Sequence, residues 1–299
     1  MTKMNLNPCP ILSRHLCERM GSRGAHKSIP KVKPKADPFA TLRDDKIRRS
    51  WKIATLLLML TMPFTFQAQQ PTFHALAFWT TGGETDHSDF ARQAIAFYTE
   101  AAARDHFDFR ATTDWKELNP ETLAHTDVVL WLNDQPHTDA QRSAFENYMN
   151  HGGGWLGSHV SGYNDSSTKW RWFVDFFGGA VFNANNWPPL PAQLIVDVRD
   201  HPVTHRLPAT FLAPSNEWYV WKPSARANAD VKVLVSFDPA NYPLGFKDRL
   251  LSGDMPVVWT NTKYRMLYVN MGHGDKIFTN ETQNHIFEDG LLWLGTTKK

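Results

Sequence analysis

The stretch that decides the fold is Gly152-Gly153-Gly154-Trp155-Leu156-Gly157-Ser158-His159. It follows a segment with helical periodicity, and its short apolar centre predicts a buried strand. The strand ends in the small residues Gly157 and Ser158, which favour a tight turn and put His159 at its carboxyl end. Open α/β sheets bind ligands at the carboxyl ends of their strands. The stretch therefore predicts an α/β fold with His159 at its functional edge.

Extended and helical segments alternate on the amino-terminal side of this stretch. The predicted buried strands are residues 72–79, 107–110 and 127–132. Ser88 is expected to cap the helix after the first strand, and Thr138 with Gln141 forms a capping box for a second helix. Strands and helices in this order predict right-handed crossovers and a mostly parallel sheet that is covered on both faces.

The strands expected beyond residue 190 alternate more strongly between apolar and polar residues. They are residues 193–198, 231–237, 256–260 and 265–271, and a last helix is expected over 282–294. There is neither an internal repeat nor an interdomain linker in this part of the sequence. Residues 69–299 are therefore expected to form a single α/β domain.

The charge of the chain is divided unevenly. The formal net charge is +2, but residues 1–68 hold 13 Lys and Arg against 4 Asp and Glu, which leaves 19 basic and 26 acidic residues and a net charge of −7 in 69–299. The predicted domain is acidic and has no basic stripe, which argues against nucleic acid as a partner.

The amino-terminal segment has the layout of an export signal. A basic cluster beginning at Lys46 precedes an apolar run over 53–66, and the small residue Ala68 follows. We expect 46–68 to be a secretory signal peptide, since the run is too short for a comfortable membrane span. We therefore expect the protein to be exported to the periplasm or the extracellular space. After removal of the signal it would have no stable membrane span. The alternative is that the segment is retained as an amphipathic anchor. Residues 1–45 are expected to be disordered or to derive from a start site placed too far upstream.

Both cysteines of the chain, Cys9 and Cys17, precede the predicted domain. The domain therefore cannot contain a disulfide, a thiolate metal site or a cysteine nucleophile.

Three residues are the candidates for catalysis. His159 and His273 each follow a predicted strand, and Glu217 could act as a general acid or base or hold a histidine in one tautomer. The alternatives are a histidine bonded to a loop carbonyl and a solvated glutamate. Ser158 is not expected to be a nucleophile, because Val160 breaks the Gly-x-Ser-x-Gly pattern.

Five residues are the candidates for binding a substrate. His87 and Asn133 follow predicted strands, and Asn186 could bind hydroxyl groups. Trp187 and Trp218 could offer aromatic faces to a sugar ring, although core packing is the alternative for each of the 12 Trp. Polar groups that converge on one sheet edge favour a small-molecule site.

No cofactor is expected. A divalent metal at His159, Glu217 and His273 stays open, since two imidazoles and a carboxylate suit zinc. The spacing of His201 and His205 suits a metal only on a helix, and the neighbouring prolines predict a loop, so a turn role is expected for His201.

The motifs of this chain, taken in order over roughly residues 72–296, resemble those of the ThuA-like (trehalose-utilisation) family. The strand at 127–133 with Gly157-Ser158-His159 is similar to the family's hydrophobic strand and G-x-H-S/A block. The later matches are Trp170-x-Trp172, Gly178-Gly179, His201-Pro202 with Leu207-Pro208, Asn216-Glu217-Trp218-Tyr219, and 256–259 with Gly272-His273.

The resemblance implies a flavodoxin-like three-layer α/β sandwich related to class I glutamine amidotransferases. It also implies a role in sugar or glycoside utilisation, including oxidised (3-keto) disaccharides. Amidotransferase chemistry is excluded because the domain has no cysteine. Two positions depart from the family pattern: Asn186-Trp187 stand near a missing histidine, and Asn216 replaces an aspartate.

The sequence thus predicts an exported enzyme that acts on a carbohydrate. The reaction would be that of a hydrolase, lyase or isomerase and would use His and Glu side chains for acid–base chemistry. The alternative is a non-catalytic carbohydrate-binding protein of the cell envelope, which needs the Trp and Asn groups alone.

Overall fold

The computed structural model describes residues 70–241 and 255–297, and the expected segments 1–45 and 46–68 lie outside them. Nine strands form one sheet, and two further strands form a small antiparallel pair. The strands of the large sheet are β1 His74–Phe78, β2 Asp108–Thr112, β3 Val128–Trp131, β4 Gly154–Ser158, β6 Leu190–Val196, β7 Thr210–Asn216, β9 Val231–Phe237, β10 Pro256–Asn261 and β11 Arg265–Val269. The small pair is β5 Phe182–Asn185 and β8 Tyr219–Trp221.

The large sheet has the order β2-β1-β3-β4-β11-β10-β9-β6-β7. The first five strands are parallel to one another, and every pairing from β11–β10 to β6–β7 is antiparallel. Seven of the nine strands therefore run in one direction, and their carboxyl ends share one edge. The predicted α/β class with a mostly parallel central sheet is confirmed.

Helices cover both faces of the sheet. They are α1 Thr85–Asp105, α2 Pro120–Leu123, α3 Asp139–Asn150, α4 Arg171–Phe176 and α5 Glu281–Thr296. α1 and α5 pack with one set of strand side chains, and α3 and α4 pack with the set on the opposite face. Neighbouring residues of β3 show the division, since Leu130 belongs to the first core and Trp131 to the second. Among the described residues, no helix combines the length and apolar character that crossing a membrane requires.

The helix before the decisive stretch begins as the sequence predicts. The Thr138 hydroxyl accepts a hydrogen bond from the Gln141 main-chain N–H, and the Gln141 side-chain oxygen accepts one from the Thr138 main-chain N–H. The two bonds complete the capping box. α3 ends at Asn150, and Gly152, with φ 87°, turns the chain into β4.

The predicted start of α1 is wrong. Ser88 lies inside the helix, whose N-cap is Glu84. The Ser88 hydroxyl donates instead to the carbonyl of Gly82 at 3.3 Å, so it fastens the preceding turn to the helix. The turn role expected for the segment beginning at His201 agrees with the structure, in which residues 202–206 form a turn directly after His201.

Three strands were not expected from the sequence: β5, β7 and β8. β7 contains Pro214, which cannot donate to a ladder and is tolerated here because β7 is an edge strand. β5 and β8 are short and belong to their own pair. These elements flank the residues around Glu217, so they matter for the site.

Candidate functional site

His159 follows the carboxyl end of β4 and has no exposed surface. Its φ of 47° is in the left-handed region, which is costly for a residue with a Cβ and which recurs at functional positions. The His159 Nδ1 atom lies 2.9 Å from the main-chain oxygen of Asn270. The Tyr268 hydroxyl donates to the His159 carbonyl at 2.8 Å. The turn therefore fixes both the backbone and the ring of this histidine.

Glu217 lies in the connection between β7 and β8, and its side chain is 12% exposed. Its Oε2 atom is 3.2 Å from His159 Nε2 and 3.8 Å from His273 Nε2. Its Oε1 atom accepts a hydrogen bond from the Asn185 side-chain amide of β5. The unexpected strands β5 and β8 thus bring the amide and the carboxylate together.

His273 lies beyond the end of β11, and its side chain is fully buried. The side-chain oxygen of Asn216 accepts from the main-chain N–H groups of Gly272 and His273, each at 3.1 Å. His273 Nε2 is 3.3 Å from Glu84 Oε1, and Nδ1 is 3.5 Å from Asp86 Oδ2. Asn216 therefore connects the end of β7 to the loop that carries His273.

His87, in the first turn of α1, is the third imidazole of the cluster. Its ring centroid is 5.2 Å from that of His159 and 4.9 Å from that of His273, and the last two are 5.5 Å apart. Burial and the two neighbouring imidazoles lower the pKa of His87 to about 3. The ring is therefore neutral at neutral pH.

Burial also dominates the ionisation of His159. Desolvation lowers its pKa, and the hydrogen bond and charge of Glu217 offset this in part. The Tyr219 ring lies beside it at a tilt of 32°, with the ring centroids 4.1 Å apart. The lowered pKa therefore favours a neutral His159 imidazole beside the Glu217 side chain.

The cluster has the ligand types of a metal site. Two groups, Glu84–His87–His273 and His87–His159–Glu217, each bring one ligand atom per residue within 4.8 Å of one another. Imidazole nitrogens with a carboxylate oxygen suit zinc and related divalent ions. These residues could hold such an ion.

The structure thus brings His159, Glu217 and His273 together, and His87 joins them. Trp187 lies at the rim with its ring 6.0 Å from that of His273 and is 63% exposed. The catalytic and binding roles of these residues stay predictions.

The other three residues expected to bind substrate have structural contacts. Asn133 is buried and clamps Thr80, accepting from its N–H and donating to its carbonyl at 2.9 Å each. The buried Asn186 accepts from the Trp218 N–H at 2.5 Å. The Trp218 ring has no exposed surface, and its indole N–H donates to Leu190 O at 2.8 Å. The side-chain polar groups of these three residues are hydrogen-bonded to the main chain of neighbouring loops and strands, so few of them remain available to a ligand.

Sequence reasoning missed four residues that build the site. Glu84 lies one turn before His87 and Asp86 directly precedes it, and only the start of α1 at Thr85 shows that both face His273. The contact of Asn185 with Glu217 could not be anticipated, because β5, which carries Asn185, was not expected from the sequence. Asn270 exchanges side-chain hydrogen bonds with the backbone of Tyr219 at 3.1 Å, and its place after the apolar strand β11 was the available signal.

The family model for ThuA, described as trehalose utilisation, matches residues 74–294. The chain belongs to the ThuA family. The resemblance of the motifs is thereby confirmed, and with it the ThuA-like α/β fold. The comparison with curated proteins returns no match.

One solved structure supports the assignment to ThuA, and a second supports the fold. A structure described as ThuA-like from Bacteroides uniformis ATCC 8492 is 47% identical, covers 80% of this chain and 97% of its own, and has a TM-score of 0.74. A second one described as ThuA-like, from Parabacteroides merdae ATCC 43184, is 16% identical, covers 77% and 93%, and has a TM-score of 0.56. The second comparison concerns the fold alone.

Proposed function

We propose that this ThuA protein is an enzyme that acts on a sugar or glycoside, with oxidised (3-keto) disaccharides as the first substrates to test. The observation that carries the proposal is the convergence of His159, Glu217 and His273 from three separate strand ends into one buried cluster. A buried histidine with a lowered pKa, as burial produces for His159, is typical of catalytic sites. The family name supports a carbohydrate as the small-molecule partner.

The chemistry that fits the cluster is proton transfer. A carboxylate and a neutral imidazole 3.2 Å apart can accept a proton from a sugar carbon or hydroxyl and return it to a leaving oxygen. If the substrate carries a ketone, the proton beside that carbonyl is the acidic one, and its removal makes elimination or isomerisation easier than direct cleavage. The segment 69–299 has no cysteine, so a thiolate nucleophile has no part in the reaction.

A turnover assay with oxidised and ordinary disaccharides tests the proposal. His159→Ala should lower turnover by about 10²–10⁴-fold while the protein keeps its fold. His205→Ala is the matched control, because its side chain is 57% exposed and lies in a turn of another region. A fully active His159→Ala protein would contradict the proposal.

The alternative of a non-catalytic carbohydrate binder gives a different result. Such a protein needs aromatic and amide contacts but no paired imidazole and carboxylate. Calorimetry of sugar binding that is unchanged when both His159 and His273 are replaced would favour the binder. Loss of turnover with retained binding would favour the enzyme.

We further propose that the protein is exported. The support is the basic cluster at Lys46 followed by the apolar run over 53–66, which lie outside the described residues. Amino-terminal sequencing of the protein from its native host should find a mature chain beginning near residue 69. A mature chain that retains residues 46–68 would contradict this.

A further inference from the structure

The geometry points to a divalent-cation site, of the zinc class, formed by the imidazoles of His87, His159 and His273 and the carboxylate of Glu217. The inference deepens the proposed function, on which it rests only for its role in catalysis. Whether the protein binds a cation is independent of any sugar.

The hydrogen-bond partners of His159 fix which of its ring nitrogens carries the proton. Its Nδ1 atom faces the main-chain oxygen of Asn270 at 2.9 Å, and because a carbonyl only accepts, Nδ1 carries the proton. The Nε2 atom of a neutral ring then presents a lone pair. That lone pair faces Glu217 Oε2 at 3.2 Å, which is also an acceptor. Two acceptors at this distance need a second proton or a cation between them.

Burial argues against the second proton. The His159 side chain has no exposed surface, and a charged imidazole held away from water is costly. The ring centroids of His87 and His273 lie 5.2 and 5.5 Å from that of His159, so three imidazoles offer nitrogens to one small space. Coordination of a cation therefore satisfies the lone pair of His159 Nε2 better than a second proton does.

His273 has the same conflict. Its Nε2 atom faces Glu84 Oε1 at 3.3 Å and Glu217 Oε2 at 3.8 Å, and its Nδ1 atom faces Asp86 Oδ2 at 3.5 Å. The Nδ1 atom has no hydrogen bond within the described part of the chain. A neutral ring has a single N–H, so one of its nitrogens must face a carboxylate with a lone pair.

His87 supplies the third imidazole. Its Nε2 atom is buried and has no hydrogen-bond partner among residues 70–241 and 255–297, and its Nδ1 atom is 3.7 Å from Glu84 Oε2. An unpaired buried nitrogen costs free energy that coordination would recover.

The distances suit a small ion. Ligand atoms about 2.0–2.1 Å from a tetrahedral zinc lie roughly 3.3 Å apart. The distance between His159 Nε2 and Glu217 Oε2 is 3.2 Å, and that between His273 Nε2 and Glu217 Oε2 is 3.8 Å. The His87 ligand atom lies within 4.8 Å of those of His159 and Glu217, so the His87 ring must move towards them to complete the site.

The surrounding contacts resemble those that orient metal ligands elsewhere. A ligating histidine usually donates its other N–H to a carbonyl, and a ligating carboxylate is itself hydrogen-bonded. His159 donates to Asn270 O, and Glu217 accepts from the Asn185 amide. Glu84, with its side chain 49% exposed, stands at the open side as a further oxygen ligand.

Metal binding is tested on the purified full chain without substrate. The protein is stripped with a chelator, titrated with Zn²⁺ and with Co²⁺, and assayed for metal content, calorimetric affinity and the visible spectrum of Co²⁺. We expect about one ion per chain and a Co²⁺ spectrum of the four-coordinate type. Glu217→Gln, which keeps the size of the side chain, should weaken binding by more than about 100-fold, since changes to groups that only orient ligands cost 10–100-fold.

His205→Ala is the matched control, because His201 and His205 form the other histidine pair and could bind added metal at the surface. It should leave the affinity unchanged. Absence of bound metal, or binding lost in His205→Ala but kept in Glu217→Gln and His159→Ala, would overturn the site. Circular dichroism of each variant excludes unfolding as the cause.

The two proposals fail separately. Stoichiometric metal binding without turnover of any sugar would contradict the proposed function and leave the cation site intact. Undiminished sugar turnover after complete removal of metal would overturn the cation site as the centre of the reaction and leave the proposed function intact.

Discussion

His159 Nε2 lies 3.2 Å from Glu217 Oε2, although the two residues are 58 positions apart in the chain. His159 follows β4 in the middle of the sheet, and Glu217 follows β7 at its edge. Asn216 bridges the gap, since its side-chain amide donates to the main-chain oxygen of Asn270 at 3.2 Å. The pair therefore depends on loop contacts at the carboxyl edge, and these contacts are where substitutions are most informative.

Gly272→Ala should displace His159. A Cβ at position 272 would lie 2.5 Å from His159 Cβ, closer than side chains approach, and the buried ring has little room to move. We expect a loss of about 1–3 kcal/mol in the free energy of unfolding, as for other overpacked sites. Urea denaturation and the Zn²⁺ titration measure the two effects.

Gly82→Ala is the control for Gly272→Ala. Its Cβ would meet Thr80 Oγ1 at 3.7 Å, an ordinary contact, and the position is exposed. Stability and metal affinity should stay near those of the wild type. Equal effects of the two substitutions would contradict the close approach of residue 272 to His159.

Asn216→Ala should loosen the loop that carries His273. The substitution leaves the buried N–H groups of Gly272 and His273 without their shared acceptor. Each unsatisfied buried donor costs about 1–3 kcal/mol, so the unfolding free energy should fall by at least that amount. An unfolding curve indistinguishable from that of the wild type would show that the two N–H groups find another partner.

Trp187→Ala should affect substrate binding and leave stability unchanged. The side chain is 63% exposed, and its removal should change the unfolding free energy by less than about 0.5 kcal/mol. If the ring stacks on a sugar, KM should rise about tenfold with kcat unchanged, because the lost contact stabilises the bound substrate and the transition state equally. Leu212→Ala is the control, because Leu212 is 56% exposed. A KM that does not respond to Trp187→Ala would remove this residue from the binding site.

The fold was largely predictable because its strongest signals are local. β3 is a continuous apolar run, and α3 has a capping box with an apolar stripe, so each element is specified by its own residues. β5 and β8 were missed because strands of four and three residues are too short to show a period, and β7 was missed because Pro214 interrupts its pattern. Their pairing is fixed by tertiary contacts that a sequence window does not contain.

The site was predictable in part for a related reason. His159 and His273 could be placed from strand ends and glycines, and carboxyl ends of parallel strands meet at one edge. The position of Glu84 depended on where α1 begins, which Ser88 made uncertain by mimicking an N-cap. Trp218 was misleading because the residue type does not distinguish a core indole from a binding surface.

His201→Gln should change the acid stability of the protein. Burial first, and then the nearby Lys232, lower the pKa of His201 to about 4, while Asp200 opposes the shift. The folded state therefore keeps this ring neutral down to about pH 4, whereas the unfolded chain takes up the proton below about pH 6.5. Stability linked to His201 is complete above pH 6.5 and is lost as the pH falls from 6.5 to 4.

The His201→Gln protein lacks this loss and should gain on the order of 1 kcal/mol relative to the wild type between pH 7 and pH 5, a value reduced by the partial exposure of the ring. Urea denaturation at both pH values measures the difference. The substitution also removes the contact with Trp293, whose ring centroid lies 4.8 Å from that of His201. The difference in stability at pH 7 measures the loss of this contact, and the further change at pH 5 measures the effect of protonation. Parallel stability curves for the two proteins over this range would show that His201 takes up its proton equally in the folded and unfolded states.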